Sequence, residues 1–228
     1  MASSVIFEER VEIPFFPSLA EFRAWALSDD FPERGRIDYI GGRIEVDMSP
    51  ENLFFHGSIK TEVVGELRDV VRSASGGYLF SDRTRVSSPD ADLSAEPDVV
   101  YLSADSIDSG RVRLVPSASG EEDSYVELEG APDLVVEIVS DSSVAKDTKR
   151  LPISYCRAGI AEYWLVDARR ERLLFRIHAR GADGYELAPV DGEGCQLSAV
   201  FDCRFRLERR RDARGRWVFD LRSRPCEH

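Results

Sequence analysis

Two acidic side chains stand where acids are costly. Asp98 lies in EPDVVYL, just before Val99-Val100, and Glu137 lies inside LVVEIV. A carboxylate in a buried strand costs several kcal/mol unless it is paired or bound to a metal. If the two strands are neighbours, both carboxylates can hold one Mg2+ or Mn2+, with the main-chain carbonyl of Ile138 as a further oxygen ligand. An ion so held polarises a phosphoryl oxygen and activates a water. A nearby lysine then orients that water or offsets charge building on phosphorus. No Ser-His-Asp or Cys-His set is evident in the chain. The bland alternatives are a strand-end turn residue for Asp98 and a buried ion pair for Glu137, with Arg83 or Arg85 as its partner.

Three more residues stand near this pair in role. His56 follows Phe54-Phe55 on an expected helix, Glu62 lies further along it, and Tyr155 belongs to a later helix. His56 and Glu62 are secondary site candidates, and Tyr155 could donate to a site carboxylate. A lone His is more often structural, and a Tyr on an amphipathic helix is commonly core. Tyr163 and Trp164 read as core.

The elements that must position these residues follow from periodicity. Ser18 caps a helix with Leu19, Phe22, Trp25 and Ala26 on one face. Residues 36–48 read as a hairpin turning at Gly41-Gly42. A second helix runs from Glu51 to Ser73, with Ile59, Val63, Leu67, Val70 and Val71 at helical spacing, stopped by Gly76-Gly77. YLFSDRTRVSS reads as one strand, SPDADLSA as a polar connection, EPDVVYLS as a short buried strand, and residues 103–124 as a mobile insertion. DLVVEIVS reads as a central strand covered on both faces. A helix is expected from about Arg150 to a stop at Gly159, with Pro152 in its first turn. Two strands follow around residues 168–170, then a turn at Gly181–Gly184. The tail could be a strand, a helix or an arm. The order implies an α/β sandwich.

Composition sets bounds. Hydrophobic residues make up 43% of 228, enough for a sizeable core. No apolar run approaches the roughly 20 residues that span a bilayer. The N-terminus has early acids and no basic n-region. A soluble cytoplasmic protein with no membrane partner is expected. Cys156, Cys195, Cys203 and Cys226 form no CxxC pair and read as isolated reduced thiols. The net charge is −12, which argues against a general nucleic-acid coat, yet residues 141–228 hold 18 basic and 14 acidic side chains. The run Arg209-Arg210-Arg211 with Trp217 suits phosphate contact and base stacking, and equally an exposed terminal strand.

Pro97-Asp98, then Glu137 in an apolar strand, then a lysine-bearing helix resembles the PD-(D/E)XK nuclease superfamily. Residues 133–167 resemble its Uma-type branch of restriction endonucleases more closely. The matching residues are Glu137, Ser140 to Ser143, Asp147, Lys149, Tyr155, Ala158-Gly159-Ile160, Glu162-Tyr163-Trp164 and Val166-Asp167. The resemblance implies a restriction-endonuclease-like core, with a central mixed sheet flanked by helices and an N-terminal helix/hairpin extension. It places the extension at 1–35, the core at 36–190 and a basic C-terminal extension, packed on the same domain, at 191–228. It further implies a Mg2+ (or Mn2+) site, endonuclease action on nucleic acid, DNA above all, and a homodimer. One departure matters. The superfamily's strand lysine is replaced by Val139. The resemblance therefore turns to the following helix, where Lys149 is the nearest catalytic match. Lys146 is the alternative, and Lys146 and Arg150 are candidates for nucleic-acid contact. A catalytically inactive binding, regulatory or assembly module on the same fold stays open, because fold does not imply function. In an assembly reading, Ile13, Phe15 and Phe16 pack across a dimer interface or on their own core.

Overall fold

The computed structural model describes residues 12–73 and 76–226. Most of the N-terminal stretch read for a targeting signal lies outside them. Helix α1 spans Leu19–Ala26, and the Ser18 hydroxyl accepts from the Glu21 amide, as an N-cap does. Strands β1 (Arg36–Ile40) and β2 (Arg43–Asp47) form the expected hairpin. Gly41 and Gly42 both have positive φ, as a type I′ two-residue hairpin turn requires. Phe22 of α1 packs on Ile37 and Tyr39 of β1, and Phe16 packs on Phe22 and Trp25. Ile13 joins this cluster, whereas Phe15 is exposed.

Helix α2, Ser58–Ser73, is entered through a one-turn π-helix at Leu53–Gly57. Its expected apolar face is buried. Next come β3 (Tyr78–Ser81) and β4 (Arg85–Ser88), then a 3-10 turn at Pro89–Ala91. Strands β5 (Leu93–Ala95) and β6 (Val99–Leu102) follow. The stretch expected as one strand is thus two. Asp82 and Arg83 adopt left-handed φ values of 54° and 52° and swing the chain out of line. The expected polar connection contains β5 itself. β3 pairs with β6 and β4 with β5, so residues 78–102 form one long hairpin, bent between two sheets. That bend decides where Asp98 sits.

Residues 103–124 correct the expected mobile insertion. They hold α3 (Ala104–Asp108) and β7 (Val112–Pro116), and Ile107, Val112 and Leu114 join the core. β8 (Tyr125–Gly130) and β9 (Leu134–Ile138) follow. A second π turn at Lys146–Arg150 leads into α4 (Leu151–Ala158), with Pro152 in its first turn and Gly159 at φ 92° as its stop. Then come β10 (Glu162–Asp167), β11 (Leu174–Arg180), β12 (Tyr185–Leu187) and β13 (Gln196–Ser198). The tail resolves into β14 (Cys203–Arg211) and β15 (Trp217–Pro225), an antiparallel hairpin.

A single central sheet was expected; the described residues form two six-stranded mixed sheets. One has the order β2-β1-β5-β4-β8-β7, the other β12-β11-β10-β9-β6-β3, and a three-stranded sheet β13-β14-β15 is added. β9 and β10 are parallel, joined through α4. Alternation along β9 splits its side chains. Leu134, Val136 and Ile138 join α2 and the β14–β15 hairpin in one core. Val135 and Val139 join α4 and the first sheet in the other. Glu137 shares the second face. The four cysteines are free. No helix among the described residues is long and apolar enough to cross a membrane.

Candidate metal centre

The bent hairpin carries Asp98 to the side of Glu137. The register pairs Val99 with Val136, and the Asp98 amide donates to the Val136 carbonyl at 3.1 Å. Asp98 and Glu137 then fall on the same sheet face, 3% and 0% exposed. The Ile138 amide donates to Asp98 Oδ2 at 2.7 Å. Ile138, whose carbonyl is the expected ion ligand, thus also supports Asp98 through its N–H. Tyr155, fully buried on α4, donates from its hydroxyl to Glu137 Oε1 at 2.6 Å.

The partner of both acids is Arg36, the first residue of β1. Its Nη2 donates to Glu137 Oε2 at 3.2 Å, and its Nη1 lies 3.5 Å from Asp98 Oδ1. Its Nε lies 3.7 Å from Asp38 Oδ2. Arg36 and Asp38 are two apart on β1 and so share a face. Asp38 also accepts from Lys146 Nζ at 2.8 Å. The buried ion pair weighed for Glu137 exists, but not with the arginines expected. Arg85 pairs with Glu96, and Arg83 donates to the Glu33 carbonyl.

On the other side of Asp98, His56 Nε2 lies 3.4 Å from Oδ2, while His56 Nδ1 lies 3.4 Å from Glu51 Oε2. Lys60 Nζ donates to Glu51 at 2.8 Å and to Asp82, and lies 3.8 Å from Asp98 Oδ1. One ligand atom each from Glu51, His56 and Asp98 lies within 4.8 Å of the other two, close enough to share an ion. A cleft of about 220 Å3 opens here, walled by Arg36, Glu51, His56, Asp98 and the Ser140–Ser143 turn.

The two π turns explain much of this. A π turn widens the helix and re-aims its side chains, which is why such turns are common at functional sites. One presents His56 and the other presents Lys146 and Asp147. The lysines are distributed otherwise than expected. Lys149 is exposed and ion-paired with neither carboxylate, whereas Lys146 is 5% exposed and tied to Asp38. The Lys146 ammonium is thus turned inward onto Asp38. Arg150 donates to Glu45 Oε2 at 2.6 Å, on β2. Glu62 lies elsewhere: its Oε1 accepts from the Leu221 amide of the terminal hairpin at 3.1 Å.

Electrostatics separates the carboxylates. Burial alone would raise Asp98, but Arg36, His56 and Lys60 together hold it well below the usual carboxylate range. Burial pushes Glu137 up to about 8; Arg36 opposes this, while Asp147 and Asp98 add to it. Burial likewise raises Asp147 to about 6 against the pull of Lys146 and the Ser143 hydrogen bond. Burial disfavours protonated His56, yet Asp98 and Glu51 raise its pKa above the ordinary value.

Arg36, Asp38 and Lys60 were not foreseen. Their signal was faint: two polar residues alternating in an otherwise apolar strand, and a lysine beside Ile59 on a helix face. The Arg-rich tail is also accounted for. The guanidinium carbons of Arg209 and Arg211 lie 4.6 and 4.0 Å from the Trp217 ring centroid, so that ring is already engaged by its own hairpin. The donor set fits a hard divalent cation. Two buried carboxylates converge on one cation, and oxygen ligands suit Mg2+ or Mn2+.

Fold and site define a mixed α/β protein with a carboxylate-lined cleft at the crossing from one sheet to the next. Residues 19–210 match the Uma2 family, described as "Putative restriction endonuclease", and the chain belongs to that family. A crystal structure of "a putative nuclease belonging to DUF820" from Anabaena variabilis has the same fold, with TM-score 0.57 and 22% identity. That match covers 81% of this chain and 90% of that one. No curated protein matches the chain.

Proposed function

We propose that the protein is a metal-dependent nuclease that hydrolyses phosphodiester bonds, with DNA as the first substrate to test. The observation that supports this most is the convergence of Asp98 and Glu137 on a single cation in a nuclease-family chain. In this reading Asp98 and Glu137 hold Mg2+ or Mn2+. The Ile138 amide and His56 fix Asp98, and Tyr155 fixes Glu137. A bound ion supplies polarisation of a phosphoryl oxygen and a lowered pKa for water. Lys146 is a better candidate than Lys149 for the missing strand lysine, because its ammonium is buried beside the acids. Held by Asp38, it offsets negative charge developing on phosphorus. A duplex substrate needs two such sites, which the homodimer implied by the family resemblance would supply.

Calorimetric Mn2+ titration of the wild type beside Glu137→Ala is the test. Binding by the wild type and its loss in the variant support the reading and justify cleavage screens on DNA and RNA. No binding by either at millimolar metal removes it. One observation favours the rival reading, a binding module without catalysis: the Arg36 guanidinium stands between the two acids. In that case the titration is silent and nucleic-acid binding survives chelation.

A further inference from the structure

We propose that Arg36 is the resident counter-ion of the metal-binding carboxylates, a tethered cation that a divalent ion must displace, so that Arg36 sets the metal affinity of the site. The inference rests on the metal-site reading above and concerns how that site is loaded.

The guanidinium holds its partners loosely. Its carboxylate contacts are 3.2, 3.5 and 3.7 Å, against about 2.7–2.9 Å for a well-made N–H to carboxylate bond. The Glu137 contact is its one hydrogen bond to the three acids, and its buried Nε makes none. It reaches three carboxylates in part and satisfies none of them fully. A dedicated structural arginine would grip one carboxylate with two parallel bonds.

It also has somewhere to go. The Arg36 side chain is 22% exposed, whereas those of Asp38, Asp98 and Glu137 are between 0% and 3% exposed. Arg36 lines both the 220 Å3 cleft and a smaller adjoining one of about 40 Å3, and Asp47 lines both as well. A displaced guanidinium therefore has water and a partly exposed carboxylate within its reach.

The charges left behind select the ion. Without Arg36, Asp38 keeps Lys146, and Asp98 keeps His56 and Lys60. Arg36 is the sole ion-pair partner of Glu137 among the described residues. The place left open lies between Glu137 and the near side of Asp98, where a divalent ion reaches oxygens of both carboxyl groups. When the competent state is a minor one, the apparent dissociation constant is the intrinsic one divided by the competent fraction. Removing the competing cation should restore the intrinsic value.

The experiment is Mn2+ titration of the chelator-treated full chain as wild type, Arg36→Gln, Arg36→Lys and Glu137→Gln, each with a thermal melt. Arg36→Gln should bind at least about tenfold more tightly than wild type. Arg36→Lys, which keeps a cation, should stay near wild type, and Mn2+ should raise the melting temperature of Arg36→Gln more than that of wild type. Equal affinity in wild type and Arg36→Gln overturns the proposal while leaving the metal site standing. Weaker binding by a folded Arg36→Gln also overturns it, because the arginine would then be organising the ligands. Silence from every variant means that the metal-site reading itself has failed, and the inference falls with it. If Arg36→Gln is unfolded alone, folding on addition of Mn2+ supports the proposal, and failure to fold with Mn2+ overturns it.

Discussion

Burial pushes the Glu137 carboxyl up to about 8, while a few ångströms away three cations hold Asp98 ionised. The contrast has a consequence for stability. The ordinary value for a Glu is 4.5, so between that pH and about 8 the folded chain keeps a proton that the unfolded chain has lost. Stability from this proton is complete at the acid end and is lost as pH rises through the folded value. Asp147, raised to about 6, acts in the same direction over the lower part of that window. The urea midpoint of the metal-free protein should fall from pH 5 to pH 8, and Glu137→Gln should flatten the slope. A wild-type midpoint that climbs across that range contradicts this. Tyr155 offers a second check. Tyr155→Phe leaves Glu137 Oε1 buried without its donor, at a cost of about 1–3 kcal/mol in urea denaturation. A loss below a few tenths would mean that water replaces the hydroxyl.

At the scale of elements, the bent hairpin of residues 78–102 does most of the positioning. It feeds β4 and β5 into one sheet and β3 and β6 into the other, and leaves Asp98 at the crossing. On its other side β4 pairs with β8, which ends at Gly130. Gly130 has φ 123°, and a Cβ there would lie 2.2 Å from the Arg111 carbonyl oxygen. That contact is with backbone and cannot be relieved by a rotamer. Gly130→Ala should therefore destabilise the fold by about 1–3 kcal/mol from the dihedral alone, and by more from the clash. Circular-dichroism melts of the two proteins check it, and an unchanged melting temperature would show that β7 and β8 are not held in this register.

Over the whole molecule, the β14–β15 hairpin is a cover for the core rather than a free arm. Phe205, Leu207, Phe219 and Leu221 pack with α2 and Trp164. Glu62 and Glu66 of α2 accept the Leu221 and Ser223 amides. Each of the four apolar side chains, Phe205, Leu207, Phe219 and Leu221, is worth about 1.5–3 kcal/mol when buried. Truncation after residue 202 should therefore abolish cooperative melting, as scanning calorimetry would show. A truncated chain that melts like the full one would return the tail to the role of an appended arm. The basic charge of this region is real, but much of it is spent on Asp191, Glu193, Glu208 and Trp217 within the same surface.

Local pattern alone determined a good deal of this protein. The Ser18 cap, the Gly41-Gly42 turn, the apolar face of α2, the buried strand around Glu137 and the Gly159 stop all depend on neighbours within a few residues, and periodicity reads such neighbours directly. The Asp98–Glu137 pair was legible too, because an acid in an apolar strand is conspicuous whatever lies beside it. The break at Asp82-Arg83 was hidden, since these left-handed φ values carry no glycine to announce them and follow from two sheets claiming the strands on either side. Which lysine turns inward was decided by a π turn that shifts every following side chain around the helix axis. The identity of the cation between the acids was decided by β1, some 60 residues before Asp98 and 100 before Glu137 in the chain. No local spacing encodes that meeting; it follows only from how the strands are ordered across two sheets.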